Sequence, residues 1–136
     1  MSPSDGPSRD RIPPKKLEKY HRQRTIAHLE KIGKNLFRMF RDPEVGLTKF
    51  LGRFDELMER LDALEEIRLD SEYLKESEAY YRRLHRRMKE PEMDGEAFEG
   101  MRQEQMGELN RLQKLKNRSS YRKAKHRARV ESDGWE

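Results

Sequence analysis

Apolar residues are sparse in this chain but regularly placed. Between Lys15 and Arg41, the residues Ile26, Leu29, Ile32, Leu36, Phe37 and Phe40 fall at helical spacings and define one face of a first helix. Pro43 ends that helix. Asp42 is placed to cap a second one, with Pro43 at its first position and Glu44 favourable against the helix dipole. In this second helix Leu47, Phe50, Phe54, Leu57, Leu61 and Leu64 step by 3, 4, 3, 4 and 3, an a/d heptad seam. The seam suits either a coiled-coil partner or packing within the chain. After Leu64 its register fails, and the apolar set becomes Ile67, Leu74, Tyr81, Leu84 and Met88.

The phase slip at Leu69-Asp70-Ser71 predicts a tight helical hairpin with a cap at that step, giving helices over 43–69 and 71–89. The alternative is one long helix from Pro43 to Lys89. Residues 90–94 form a linker around Pro91, and Asp94 is placed to cap a last helix over 95–117 bearing Phe98, Met101, Leu109, Leu112 and Leu115. Gly100 and Gly107 weaken that helix by about 1 kcal/mol each relative to Ala. Residues 1–14, with four prolines, read as a flexible arm, and residues 118–136 as a basic and then acidic tail. The expected fold is all-α: a small helical hairpin or bundle with a short coiled-coil-like seam, a flexible N-terminal arm and a basic C-terminal tail.

Composition limits how large the core of such a fold can be. Of 136 residues, 42% are charged and 32% hydrophobic, and Leu, Ile, Val and Phe together number 25. A core this small, covered on one side by a weak last helix, favours a homo-oligomer or a subunit of a larger complex. Cysteine is absent, which excludes a disulfide framework and thiolate chemistry and fits a reducing, intracellular setting. No apolar run approaches the roughly 20 residues that span a bilayer, and the N-terminal residues resemble neither a signal peptide nor a presequence. The sequence therefore reads as soluble and not secreted, with a membrane partner disfavoured.

Charge is segregated along the chain. The net charge of +5 conceals blocks of +7 over residues 15–41, −7 over 42–81, +4 over 82–91, −5 over 92–108, +9 over 109–130 and −3 over 131–136. Residues 109–130 contain no acid. Within them Lys114, Lys116, Arg118, Arg122, Lys123, Lys125, Arg127 and Arg129 are candidate phosphate contacts, with Tyr121 placed to stack on an unpaired base. A second candidate is the ridge Arg82, Arg83, Arg86 and Arg87, where arginines four apart are helix neighbours and turn away from Tyr81, Leu84 and Met88. Planar guanidinium groups suit bidentate phosphate contact, and the count of 19 Arg against 12 Lys leans toward RNA over DNA. The basic first helix reads more simply as lying against the acidic second one.

Catalytic signatures are missing from the sequence. Histidines 21, 28, 85 and 126 are scattered, with no carboxylate arranged for a metal site, and Asp55, Glu59 and Asp62 read as a solvated face. There is no glycine-rich phosphate loop, no nucleophile elbow and no cofactor motif. The sequence thus predicts a non-enzymatic protein without metal or cofactor, an accessory subunit of a ribonucleoprotein or nucleoprotein assembly. The competing expectation is an assembly or scaffold protein whose basic tail docks on an acidic protein surface.

Overall fold

A computed structural model describes residues 14–118, which form four helices: α1 (Pro14–Arg41), α2 (Leu47–Ala63), α3 (Glu72–Met88) and α4 (Gly95–Arg118). No strand occurs among the described residues. Successive helices run antiparallel. His28 meets Leu57 and Phe40 meets Phe50 across α1 and α2, Asp55 meets His85 across α2 and α3, and Tyr80 meets Gln105 across α3 and α4. The result is an up-down-up-down four-helix bundle. Helices α1 and α3 pack directly across the short diagonal, where the Tyr81 hydroxyl lies over Gly33; a β-carbon there would approach it to 2.6 Å.

The core is apolar at one end and mixed in the middle. Phe40, Phe50, Phe54 and Phe98 are buried from three helices, with ring centroids 4.6 to 5.9 Å apart, and His85 of α3 lies 4.8 Å from the Phe54 ring. Four seam positions, Phe50, Phe54, Leu57 and Leu61, are buried within the single chain, while the end positions Leu47 and Leu64 are half-buried. Covering the seam thus takes no second copy. In α4 the apolar spacing breaks between Met101 and Leu109, and the gap is filled by the buried side chains of Arg102 and Gln105. Gln105 Oε1 accepts a hydrogen bond from the Tyr80 hydroxyl at 2.6 Å.

Both ends of α2 differ from the sequence expectation. The helix starts at Leu47 after Gly46, four residues beyond Pro43, because Asp42 closes a turn: its carboxylate accepts from the Glu44 N–H at 2.9 Å and its carbonyl from the Val45 N–H at 3.1 Å. The helix stops at Ala63, and residues 65–70 are non-helical, so the connection to α3 is an extended strap in place of a tight hairpin or a continuous helix. Arg22 of α1 holds the strap through Asp70 at 2.6 Å, and Ile67 and Leu69 are half-buried along it. Ser71 caps α3, accepting from the Leu74 N–H, and Asp94 accepts from the Ala97 N–H at 2.8 Å at the start of α4. Helix α1 itself begins one residue before Lys15, with Pro14 at its first position.

Arg102 joins the bundle end to end. Its guanidinium donates to the carbonyls of Met39, Phe40 and Asp42 at 3.0, 3.0 and 3.1 Å and to the carbonyl of Val45, and it lies 4.6 Å over the Phe98 ring. Glu99 holds the other edge of the fork at 2.7 Å. The last carbonyls of a helix have no partner within it, and this side chain of α4 supplies one for α1 and for the turn that follows.

Candidate functional site

The arginine ridge of α3 is divided by its surroundings. Arg82 is withdrawn into the α2–α3 interface, bonded to Asp62 at 2.9 Å and to Glu78 at 3.0 Å; although burial opposes its charge, these two carboxylates raise its pKa further. Arg82 therefore braces α2 against α3, with its side chain still 38% exposed. Arg83, Arg86 and Arg87 are exposed and have no acidic partner among the described residues, Arg83 leaning over the Tyr80 ring at 5.9 Å. Three of the four ridge positions thus face outward together.

The acids of α2 do not meet α1 as the sequence reading had them do. Asp55 pairs with His85 at 2.6 Å and with Lys89 at 2.9 Å, and Asp62 pairs with Arg82, so the negative edge of α2 is spent on the basic end of α3. Burial works against the Asp55 charge, but hydrogen bonds from Lys89 and His85 outweigh it and hold the carboxyl below its ordinary range. Asp55 is interfacial, whereas Glu59 and Asp62 are exposed, Asp62 reaching Arg82 from the surface.

Helix α1 is left with an uncompensated outer face. Arg24, Lys31, Lys34, Arg38 and Arg41 are all exposed, at steps of 7, 3, 4 and 3, and none has an acidic partner among the described residues. Arg24 and Arg41 lie over the neighbouring rings of Tyr20 and Phe37. The stripe runs for about 25 Å, with cations roughly 5 to 6 Å from the next where they are three or four residues apart. Glu30, the acid nearest to it in sequence, is half-buried and bonded to Lys116 of α4 at 2.9 Å. The sequence reading set these cations against the acidic second helix, yet their outward direction was legible: they recur opposite to Leu29, Ile32, Leu36 and Phe40, with no acid on that face.

The predicted residues of α4 separate too. Lys114 and Arg118 are exposed, whereas Lys116 is half-buried between Glu30 and the Tyr73 ring, so it anchors the end of α4 to α1 and to the start of α3. Tyr121, Arg122, Lys123, Lys125, Arg127 and Arg129 lie outside the described residues. Because α3 and α4 are antiparallel, Arg83 and its neighbours sit at the opposite end of α4 from Lys114 and Arg118. These two predicted groups form separate surfaces.

Two of the histidines are held by the fold, His85 by Asp55 and His28 by the backbone of α2. Nε2 of the buried His28 is 2.8 Å from the Leu57 carbonyl, which only accepts, so the imidazole donates there. Burial lowers the His28 pKa, the Leu57 contact opposes that shift, and Lys31, Arg60 and Arg53 around it reinforce it. No group of three metal-ligating side chains occurs among the described residues, and no helix there is long and apolar enough to cross a membrane. Comparison with protein-family models, with curated proteins and with solved structures finds no match. The most concentrated uncompensated charge among the described residues is the row of five exposed cations on α1.

Proposed function

We propose that the protein is a non-catalytic nucleic-acid-binding subunit of a ribonucleoprotein or nucleoprotein assembly, with RNA favoured over DNA. The observation that carries this reading is the outer stripe of α1, Arg24, Lys31, Lys34, Arg38 and Arg41, exposed and without acidic partners among the described residues. Neighbouring cations on it are closer together than the Debye length of about 8 Å at physiological salt, so they repel one another and act as one field. Phosphates relieve that repulsion and release condensed counterions on binding. The stripe presents charge on a straight helix with few exposed rings, which fits backbone contact more than base readout. The basic run 118–130 adds six further cations to the sequence from the end of α4 onward. Arginine outnumbers lysine 19 to 12, which favours RNA. The cysteine-free sequence fits an intracellular, reducing setting.

The test is fluorescence anisotropy of the full chain with labelled single-stranded RNA, single-stranded DNA and duplex at several salt concentrations. Binding should weaken steeply with salt. Lys31→Gln, Lys34→Gln and Arg38→Gln together should flatten the slope of log affinity against log salt by about 2 on single strands, since each lost phosphate contact is worth roughly 0.7. A folded chain that binds none of the three probes at low salt would refute the reading and redirect the search to an acidic protein partner.

A further inference from the structure

The bundle carries basic surfaces on two opposite sides. On α3, Tyr81 points at α1, its hydroxyl lying over Gly33. At about 100° per residue, Arg83, Arg86 and Arg87 lie about 200°, 140° and 240° around the helix from Tyr81, and so face away from α1. On α1, Lys31 and Arg38 lie about 160° and 140° around from Gly33, and so face away from α3. Because α1 and α3 run parallel with Gly33 beside Tyr81, the ridge is level with Arg38 and back to back with it, whereas Lys34 and Arg41, about 100° and 80° around from Gly33, point sideways, Lys34 lining a groove with Tyr81 and Leu109.

Distance makes the two surfaces electrically independent. Helix axes in contact are about 8 to 10 Å apart and each helix is about 10 to 12 Å across, so the two faces are separated by roughly 20 Å. That is more than twice the screening length of about 8 Å at physiological salt. A phosphate backbone held on one face therefore neither neutralises the other face nor repels a second backbone arriving there. One continuous footprint would need the strand to wrap around the bundle past exposed acids on both flanks, Glu59 on α2 and Glu104 on α4.

We propose that the protein bridges two nucleic-acid segments, one on the outer face of α1 and the other on the Arg83–Arg86–Arg87 ridge of α3. The inference rests on the nucleic-acid reading above and adds to it a second, separate contact surface. The α1 face is the stronger, having five cations to the ridge's three. The ridge captures the second segment. Such a device holds distant parts of one long strand together, or two strands, without any change in the fold.

A two-probe capture assay tests this. A biotinylated 20-nucleotide RNA on beads is loaded with the full chain, washed, and offered a second, dye-labelled RNA of unrelated sequence, with light scattering to establish that the chain is monomeric. The wild-type chain should retain the dye. Arg83→Gln, Arg86→Gln and Arg87→Gln together should lower dye retention by roughly tenfold and reduce the RNA molecules bound per chain at saturation from about two to about one. These residues are exposed, and circular dichroism of the variant checks that it is folded. Undiminished dye retention by the ridge variant, or retention that tracks a dimer, would overturn bridging and leave the nucleic-acid reading standing. Failure of the wild-type chain to bind even the first RNA would overturn both.

Discussion

Replacing Arg102 by Ala removes a single side chain that bonds four backbone carbonyls at the junction of α1, the following turn and α4. Three of these contacts, to Met39, Phe40 and Val45, are buried, and the fourth, to Asp42, is partly buried. A buried acceptor left unpaired costs about 1 to 3 kcal/mol. Water entering the space vacated by the guanidinium would reach the carbonyls nearest the exposed Asp42, so about two remain fully penalised. Loss of the contact with the Phe98 ring adds about 0.5 to 1 kcal/mol. The sum is about 2.5 to 7 kcal/mol, a large share of the roughly 5 to 15 kcal/mol that holds a domain of this size together. Urea unfolding followed by circular dichroism should show it as a midpoint lowered by about 1 M or more, given a slope of about 1 to 3 kcal/mol/M. Arg102→Lys should recover only part of the loss, because an ammonium reaches fewer of the carbonyls than a planar fork. Glu99→Gln should do less than either, since Glu99 is more than half exposed. A loss below about 1 kcal/mol for Arg102→Ala would refute the argument that these carbonyls depend on α4.

Two further outcomes follow from close contacts in the core. Gly33→Ala should destabilise by about 1 to 3 kcal/mol, because its new methyl group meets the Tyr81 hydroxyl at 2.6 Å. In a Tyr81→Phe background the same change should be neutral or stabilising by up to about 1 kcal/mol, since Ala is the better helix former; a double-mutant cycle without that reversal of sign would disprove the steric account. Stability should also fall as pH drops below about 6.5, the ordinary value for the imidazole, because burial lowers the pKa of His28 and the unfolded chain takes up the proton first. His28→Gln should flatten that part of the pH profile, measured by urea unfolding at each pH, and an unchanged profile would show that another group controls it.

The sequence pattern located the helices because each carries its own apolar period, but it misplaced the two ends of α2 because those are set from a distance. Asp42 and Pro43 look like a helix start by every local rule. Whether they nucleate a helix or close a turn depends on where the Asp42 and Val45 carbonyls are needed, and they are taken by Arg102, about sixty residues later. Similarly, the end of α2 at Ala63 is accompanied by a strap that Arg22 holds through Asp70, a pairing between residues 48 apart. Arg102 itself was invisible as a core residue, since a lone arginine in a helical period reads as solvent-facing until its acceptors are known. Gln105 escaped notice in the same way, its partner Tyr80 being on another helix.

Charge was legible by block but not by face, and the difference decides where a polyanion can bind. Blocks of +7 on α1 and −7 over residues 42–81 invite mutual neutralisation. The geometry divides them differently. Helix α1 presents Leu29, Ile32, Leu36 and Phe40 inward, so its cations, being opposite on the same helical period, are carried outward, away from Asp55 and Asp62, with Lys31 at the rim of a groove that it shares with Glu56 and Glu59 of α2. Helix α2 presents Asp55 and Asp62 along its edge with α3, where Arg82, His85 and Lys89 consume them. A basic helix whose apolar and charged residues share one period must expose its charge whenever its apolar face is buried. The acids that would have cancelled that charge are committed by their own period to a different neighbour. The surviving field on α1 is therefore a consequence of the bundle's packing, and any change that rotates α1 about its axis should alter core stability and polyanion affinity together.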